Sequence, residues 1–114
     1  VPSRACFVDL KTCNDASPGS FARSIDTYGY HIQQVHDCDG ARACWVPVKN
    51  YLILGQEKQA PYCAAVYHID AASEAKGLEI RATGLHTLAR CTATEQWPGY
   101  IGITEISLPT WVLN

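Results

Sequence analysis

The sequence predicts an α/β fold, a mixed β-sheet flanked by two long helices, within one domain spanning residues 1–114. Three observations carry this. Apolar runs at 7–12, 51–54 and 62–69 have the length of strands. Two longer stretches repeat their apolar residues every three or four positions, as the buried stripe of a helix does. The two kinds of segment then alternate in the order strand, helix, strand, strand, helix. A chain of 114 residues, 47% hydrophobic and 18% charged, can bury one modest core and is neither disordered nor built to span a bilayer.

The first strand, Phe7-Val8-Asp9-Leu10-Lys11-Thr12, mixes apolar residues with an acid and a base. Side chains alternate in a strand, so Asp9 and Lys11 share one face while Val8 and Leu10 share the other. The dense turn formers of Cys13-Asn14-Asp15-Ala16-Ser17-Pro18-Gly19-Ser20 follow, with Ser17 before Pro18 marking a helix start. From about Ser20 to Asp37 the stripe Phe21, Ile25, Tyr28, Ile32, Val35 predicts one long helix, closed by Asp39-Gly40. A second, polar line on that helix, Asp26, Tyr30, Gln33, Asp37, is rotated to one side of the stripe, where it either faces the acidic side of the strand or has Tyr30 and Gln33 edging the core.

Tyr51-Leu52-Ile53-Leu54 reads as a buried strand and Gln56-Glu57-Lys58-Gln59-Ala60-Pro61 as a turn. Tyr62 to Ile69 reads as a third strand, antiparallel to the second. Asp70 is a good N-cap for a second helix with the stripe Ala71, Ala75, Leu78, Ala82, Leu85, Ala89. Gly77 and Gly84 weaken that helix by about 1 kcal/mol each relative to alanine, so they imply close packing or a bend. Trp97-Pro98-Gly99-Tyr100 ends it, and the tail carrying Ile101, Ile103, Ile106, Leu108 and Trp111 is apolar but interrupted by Gly102 and Pro109.

The composition excludes several functions. A formal charge of −2 provides no general basic field, so contact with nucleic acid must be local. The six cysteines (Cys6, Cys13, Cys38, Cys44, Cys63, Cys91) lack any C-x-x-C pair, so a zinc ribbon has no support. Their apolar settings favour free thiols over the three disulfides of a small secreted protein. The group His31, His36, Cys38, Cys44 has no recognisable ligand spacing. The chain opens at Val1 and contains no Met, which suggests a piece of a longer product, and no charged and apolar leader opens it.

Asp9 and Lys11 can be read in two ways. They can form a surface ion pair, or a carboxylate that holds a divalent metal beside an ammonium that steadies a developing anion. The wider pattern bears on the choice. Val8-Asp9-Leu10-Lys11-Thr12, followed some twenty residues on by Tyr30-His31-Ile32-Gln33, resembles the core of the PD-(D/E)XK nucleases, in particular the RecE-like exonuclease VIII branch of prophages. Asp39-Gly40, the Gln56-Glu57-Lys58 turn leading to Pro61-Tyr62, Glu95-Gln96-Trp97-Pro98 and Ser107-Leu108-Pro109-x-Trp111 agree in order, so the resemblance covers nearly the whole chain.

This resemblance implies a restriction-endonuclease-like core and a cytoplasmic, magnesium-dependent exodeoxyribonuclease acting on linear double-stranded DNA, with manganese as an alternative cation. It makes Asp9 a metal ligand, Lys11 the catalytic lysine, and the main-chain carbonyl of Leu10 a further metal contact. Gln33 with Tyr30 becomes the helix motif that positions DNA. Its partners would be duplex ends, further copies in a ring, and a single-strand annealing protein. Two departures stand out. The family's Gln is often followed four residues later by Tyr, where this chain has Asp37. The family's first acid, usually in an Arg-Pro-Asp segment about ten residues before the strand, has no counterpart at Val1-Pro2-Ser3, so the core is expected to be incomplete at the N-terminus. Glu57 is the candidate extra carboxylate, with Asp15 a second. The alternative function is a non-catalytic remnant, a DNA-binding or assembly module of such a nuclease.

Overall fold

A computed structural model describes residues 5–114. Val1-Pro2-Ser3, ahead of which the resemblance looks for a first acid, lies outside the described residues. The elements are β1 (Cys6–Cys13), α1 (Pro18–Tyr28), α2 (Tyr30–Ala43), β2 (Asn50–Glu57), β3 (Ala64–Tyr67), α3 (Ala71–Thr94) and α4 (Thr110–Leu113). The expected mixed sheet is present, in the order β1-β2-β3, with β1 parallel to β2 and β3 antiparallel to β2. A parallel pair needs a crossover, which α1 and α2 supply.

Where one helix is expected from Ser20 to Asp37, there are two. Gly29 takes φ 69°, a left-handed conformation that costs glycine nothing, and its N–H donates to the Ile25 carbonyl to close α1. The chain then re-enters helix at Tyr30. Asp39-Gly40 does not close α2, which continues to Ala43. The break also changes the stripe: Phe21 and Val35 are buried, but Tyr28 is 70% exposed. At the sheet, β2 runs through Gln56 and Glu57, which the sequence placed in a turn, and β3 is shorter than the expected 62–69.

The core sits between the sheet and the two crossover helices. Phe21 from α1 and Ile53 from β2 are both 1% exposed, and Phe21 stacks on Tyr67 at 4.9 Å between ring centres. Burial of each such side chain contributes about 1.5–3 kcal/mol. Phe21 comes so near the sheet that a Cβ at Gly55 would lie 3.0 Å from its ring, so β2 must have a glycine there or shift the ring.

On α3 the contact face is not the expected stripe. Leu78 and Leu85 are exposed, and the helix meets α2 through Gly77, with Glu74 and Arg81 half-buried beside it. A Cβ at Gly77 would lie 2.5 Å from the His31 carbonyl oxygen, a backbone atom that cannot swing away. Arg81 then ties the helices together, with a guanidinium nitrogen 2.9 Å from Asp39 Oδ2 and Nε donating to His36 Nδ1 at 3.1 Å. The close approach brought by the glycine selects the face, and the leucines are left outside. Asp70 caps the helix as expected, accepting from the Ser73 N–H.

The tail does not dock. Trp97, Ile101, Ile103, Ile106 and Trp111 are exposed. The radius of gyration is 19.3 Å, against about 13 Å for a compact domain of this length. The accessible surface is 8856 Å², against about 6,200 Å² for a compact monomer of this mass. Part of the excess lies on the sheet face away from the helices, where Val8, Leu10 and Val66 are each about 60% exposed. No helix among the described residues is long and apolar enough to cross a membrane.

Candidate active site

The parallel register places Phe7 opposite Tyr51, Asp9 opposite Ile53 and Lys11 opposite Gly55. Cross-strand partners point to the same side, so the helix-covered face of the sheet carries Phe7, Asp9 and Lys11 from β1 and Tyr51 and Ile53 from β2. The alternation in β1 that separates Asp9 and Lys11 from Val8 and Leu10 is present in the burial of the strand. Helix α2 lies over this face and contributes its polar line.

Five side chains close a ring of polar contacts. Lys11 Nζ is 3.1 Å from Asp9 Oδ2 and donates to Gln33 Oε1 at 2.7 Å. Gln33 Nε2 donates to Asp37 Oδ2 at 3.4 Å. The phenol of Tyr51 reaches both acids, 3.3 Å from Asp9 Oδ2 and 3.3 Å from Asp37 Oδ2. Tyr30 adds its ring, 4.6 Å from the Lys11 ammonium, a cation–π contact. The amide of Gln33 is oriented by its neighbours, since its oxygen faces a cation and its NH₂ faces a carboxylate. Lys11 and Asp9 have side chains only 19% and 22% exposed, so screening by water is weak and the lysine is held in one place.

Tyr51 has one proton and two acceptors, so it donates to one carboxylate at a time. Burial, and then the charges of Asp9 and Asp37, push its pKa well above the ordinary tyrosine value. The phenol therefore stays neutral and remains a donor. Two carboxylates with a single ammonium between them leave one unit of negative charge in a half-buried cleft of about 380 Å³ lined by Phe7, Asp9, Asp37 and Tyr51.

The two carboxylates there are hard oxygen donors, the kind that suits magnesium or manganese. Among the described residues no group of three or more His, Cys, Asp or Glu side chains is placed to share a metal. Magnesium does not demand one, because it keeps several waters and is commonly bound through one or two carboxylates and a substrate phosphate. Asp9 and Asp37 fit that pattern.

The structure brings Asp9, Lys11, Tyr30 and Gln33 together and leaves Glu57 and Asp15 outside. Glu57 lies four positions further along β2 than the residue opposite Asp9, about 13 Å away along the strand. Its carboxylate accepts from the Ala16 N–H at 2.9 Å. Tyr67 donates to the Ala16 carbonyl, so Glu57 and Tyr67 together pin the loop before α1. Asp15 accepts from the Ser17 N–H in the same loop, which holds its carboxyl below the usual range. Leu10 turns its side chain to the exposed face, so any role in metal binding falls to its main-chain carbonyl. Asp26 sits on α1, across the Gly29 break from Gln33 and Asp37, and takes no part in the ring.

Tyr51 and Asp37 complete the site without having been selected from the sequence. Asp37 was visible as a member of the polar line on the helix and as a departure from the helix motif, and Tyr51 only as an aromatic residue in a strand. The signal for Tyr51 is its register with Phe7, which follows only once β1 and β2 are known to be parallel. The group His31, His36, Cys38, Cys44 does not converge: His36 is paired with Arg81, Cys38 lies in the core and Cys44 is exposed beyond α2. All six cysteines are free.

The family described as a PDDEXK-like domain of unknown function (DUF3799) matches residues 1–108, nearly the whole chain. The chain belongs to that family. PDDEXK-like domains form a nuclease-type superfamily, and a mixed sheet with an acid and a lysine two residues apart on one strand face agrees with membership. No curated protein matches the sequence.

Proposed function

We propose that this PDDEXK-like domain carries the catalytic centre of a magnesium-dependent exodeoxyribonuclease that hydrolyses phosphodiester bonds at the ends of linear double-stranded DNA, of the RecE-like, prophage recombination type. The observation that supports this best is the position of Lys11, fixed by Asp9, Gln33 and Tyr30 beside a second carboxylate, Asp37. A surface ion pair has no need of a buried phenol, an amide and an aromatic ring to hold it.

In this reading Asp9 and Asp37 would hold a divalent ion, which would supply Lewis-acid chemistry at the phosphate and acidify water. Lys11 presents a fixed ammonium to the charge that grows on the phosphoryl oxygens in the transition state. Gln33 and Tyr30 keep that ammonium from swinging into solvent. Tyr51 holds both carboxylates toward the cleft, and its neutral O–H offsets part of their repulsion. Placement of these groups before substrate arrives is the domain's own contribution, because little reorganisation is left for the reaction.

The test is digestion of linear duplex DNA in magnesium by this chain and by any longer natural chain that contains it, beside their Lys11→Ala and Asp37→Asn variants. Lys11→Ala is expected to lower the rate by about 10²–10³ with circular dichroism unchanged. Undiminished cleavage by Lys11→Ala would sink the assignment. Because only two carboxylates among the described residues meet at the cleft, a second reading is kept: binding of duplex ends without cleavage, in every chain tested, would mark the domain as a DNA-binding or assembly module.

A further inference from the structure

The polar ring is bordered on its other side by a second cavity that none of the chemistry above uses. It has a volume of about 300 Å³ and is lined by Asn14, Ser20, Ser24, Tyr28, Tyr30 and Lys58, together with Thr12, Cys13 and Asp15 at the end of β1. Tyr30 belongs to both places, since its ring contacts the Lys11 ammonium and also forms a wall of this cavity. Tyr28 stacks on Tyr30 with 5.8 Å between ring centres and 23° between planes, yet is 70% exposed. The left-handed turn at Gly29 sets the two rings side by side at the junction of α1 and α2.

The location is consistent with ligand binding. The cavity opens at the C-terminal end of the parallel strands β1 and β2, where open α/β sheets place their ligands. The direction of β1 runs from the cleft of Asp9 and Asp37, past Lys11, into this cavity at Thr12 to Asp15. A chain of phosphates laid along that line with one of them at Lys11 places its neighbour here. The lining suits a nucleotide: a solvent-facing aromatic ring for a base, the cation Lys58 for a phosphate, and the hydroxyls of Ser20 and Ser24 for the sugar-phosphate edge. Asp15 stays charged and accepts from the Ser17 N–H, but it forms no ion pair with Lys58.

We propose that this cavity is a subsite for the nucleotide flanking the scissile phosphate, with its base stacked on Tyr28 and its phosphate paired with Lys58. The ligand is one strand of a duplex end, unpaired where it enters the cavity and recognised by stacking and charge without regard to base sequence, since every base has a π-face. The proposal rests on the nuclease reading for its substrate and adds a binding place and two residues to it.

The experiment is fluorescence anisotropy with a labelled ten-nucleotide oligo(dT), in EDTA, across a salt series. Tyr28→Ala is expected to weaken binding about ten-fold, and Tyr28→Phe, which keeps the ring, to bind as the unaltered chain does. Lys58→Ala is expected to weaken binding and to flatten the dependence of log affinity on log salt by about 0.7, the loss of one phosphate contact. Unaltered affinity in Tyr28→Ala, an unaltered salt slope in Lys58→Ala, or absence of binding by the unaltered chain overturns the subsite. The nuclease reading fails separately. Cleavage that depends on Lys11 together with binding indifferent to Tyr28 removes the subsite and leaves the enzyme. Binding that depends on Tyr28 without any cleavage does the reverse.

Discussion

Tyr51→Phe removes one oxygen atom and keeps the ring that packs on Phe7 at 6.4 Å. The lost oxygen is, among the described residues, the one donor shared by Asp9 and Asp37, at 3.3 Å from each. A hydrogen bond to a charged group contributes about 1.5–3 kcal/mol. Both contacts are long, only one is made at a time, and the half-buried carboxylates can take water in exchange. A loss of about 1–2 kcal/mol is therefore expected at pH 7 in EDTA, read as a lower urea midpoint with an unchanged slope.

The same phenol predicts the behaviour at high pH. Its pKa is raised in the folded chain by burial and by the two acids. Above pH 10 the unfolded tyrosine releases its proton while the folded one keeps it, so the unfolded state binds fewer protons and stability falls with rising pH. The fall amounts to about 1.4 kcal/mol per pH unit for one group. The remaining tyrosines are common to both proteins and cancel in the comparison. The advantage of the unaltered chain over Tyr51→Phe should hold below pH 10 and shrink above it. Equal stability at pH 7, or a difference that ignores pH up to 12, would refute the placement of this phenol between two carboxylates.

Two further expectations follow from packing. Gly77→Ala puts a methyl 2.5 Å from the His31 carbonyl, and the overpacking, about 1–3 kcal/mol, should exceed the roughly 1 kcal/mol gained in helix propensity, whereas Gly84→Ala, with nothing within 4 Å, should gain up to about 1 kcal/mol; urea midpoints that move in the same direction for both would contradict the α2–α3 contact. Thiol titration in denaturant without reductant should count six reactive cysteines, and in the folded chain the buried Cys38, whose pKa is pushed up mainly by burial, should react more slowly than exposed Cys63.

These expectations differ in how far the sequence alone could have reached them. The alternation of Asp9 and Lys11 against Val8 and Leu10 is local, because a strand has only two faces, and it is present in the fold. The line Tyr30, Gln33, Asp37 survives for the same reason, since its members all lie within α2. The reading fails where one residue sets a backbone angle or a distance. Gly29 splits an otherwise continuous stripe by adopting φ 69°, so Tyr28, in phase with Phe21 and Ile25, is the last residue of α1 and stays exposed. Gly77 draws α2 close enough to exclude any side chain, and so chooses a contact face that the pattern of leucines does not indicate. Periodicity weighs every apolar residue alike and has no term for the absence of a Cβ.

The site shows the same division at a larger scale. Asp9 and Lys11 are near in sequence, and Gln33 and Asp37 share a helix turn, so each pair is visible separately. What joins them is Tyr51, 42 positions from Asp9 and 14 from Asp37, and its place follows only from the parallel register that sets it beside Phe7. Glu57 illustrates the opposite error. It also stands on β2 and is a carboxylate, but strand pairing sets it level with Cys13, at the loop it holds, and distant from Asp9. A carboxylate's chemistry is the same at either position, and the register decides that the acid beside Asp9 comes from the helix. Asp37 on the helix then has a physical consequence: a second negative charge faces Asp9, and the buried phenol of Tyr51, 3.3 Å from each acid and donating to one at a time, keeps them directed into one cleft.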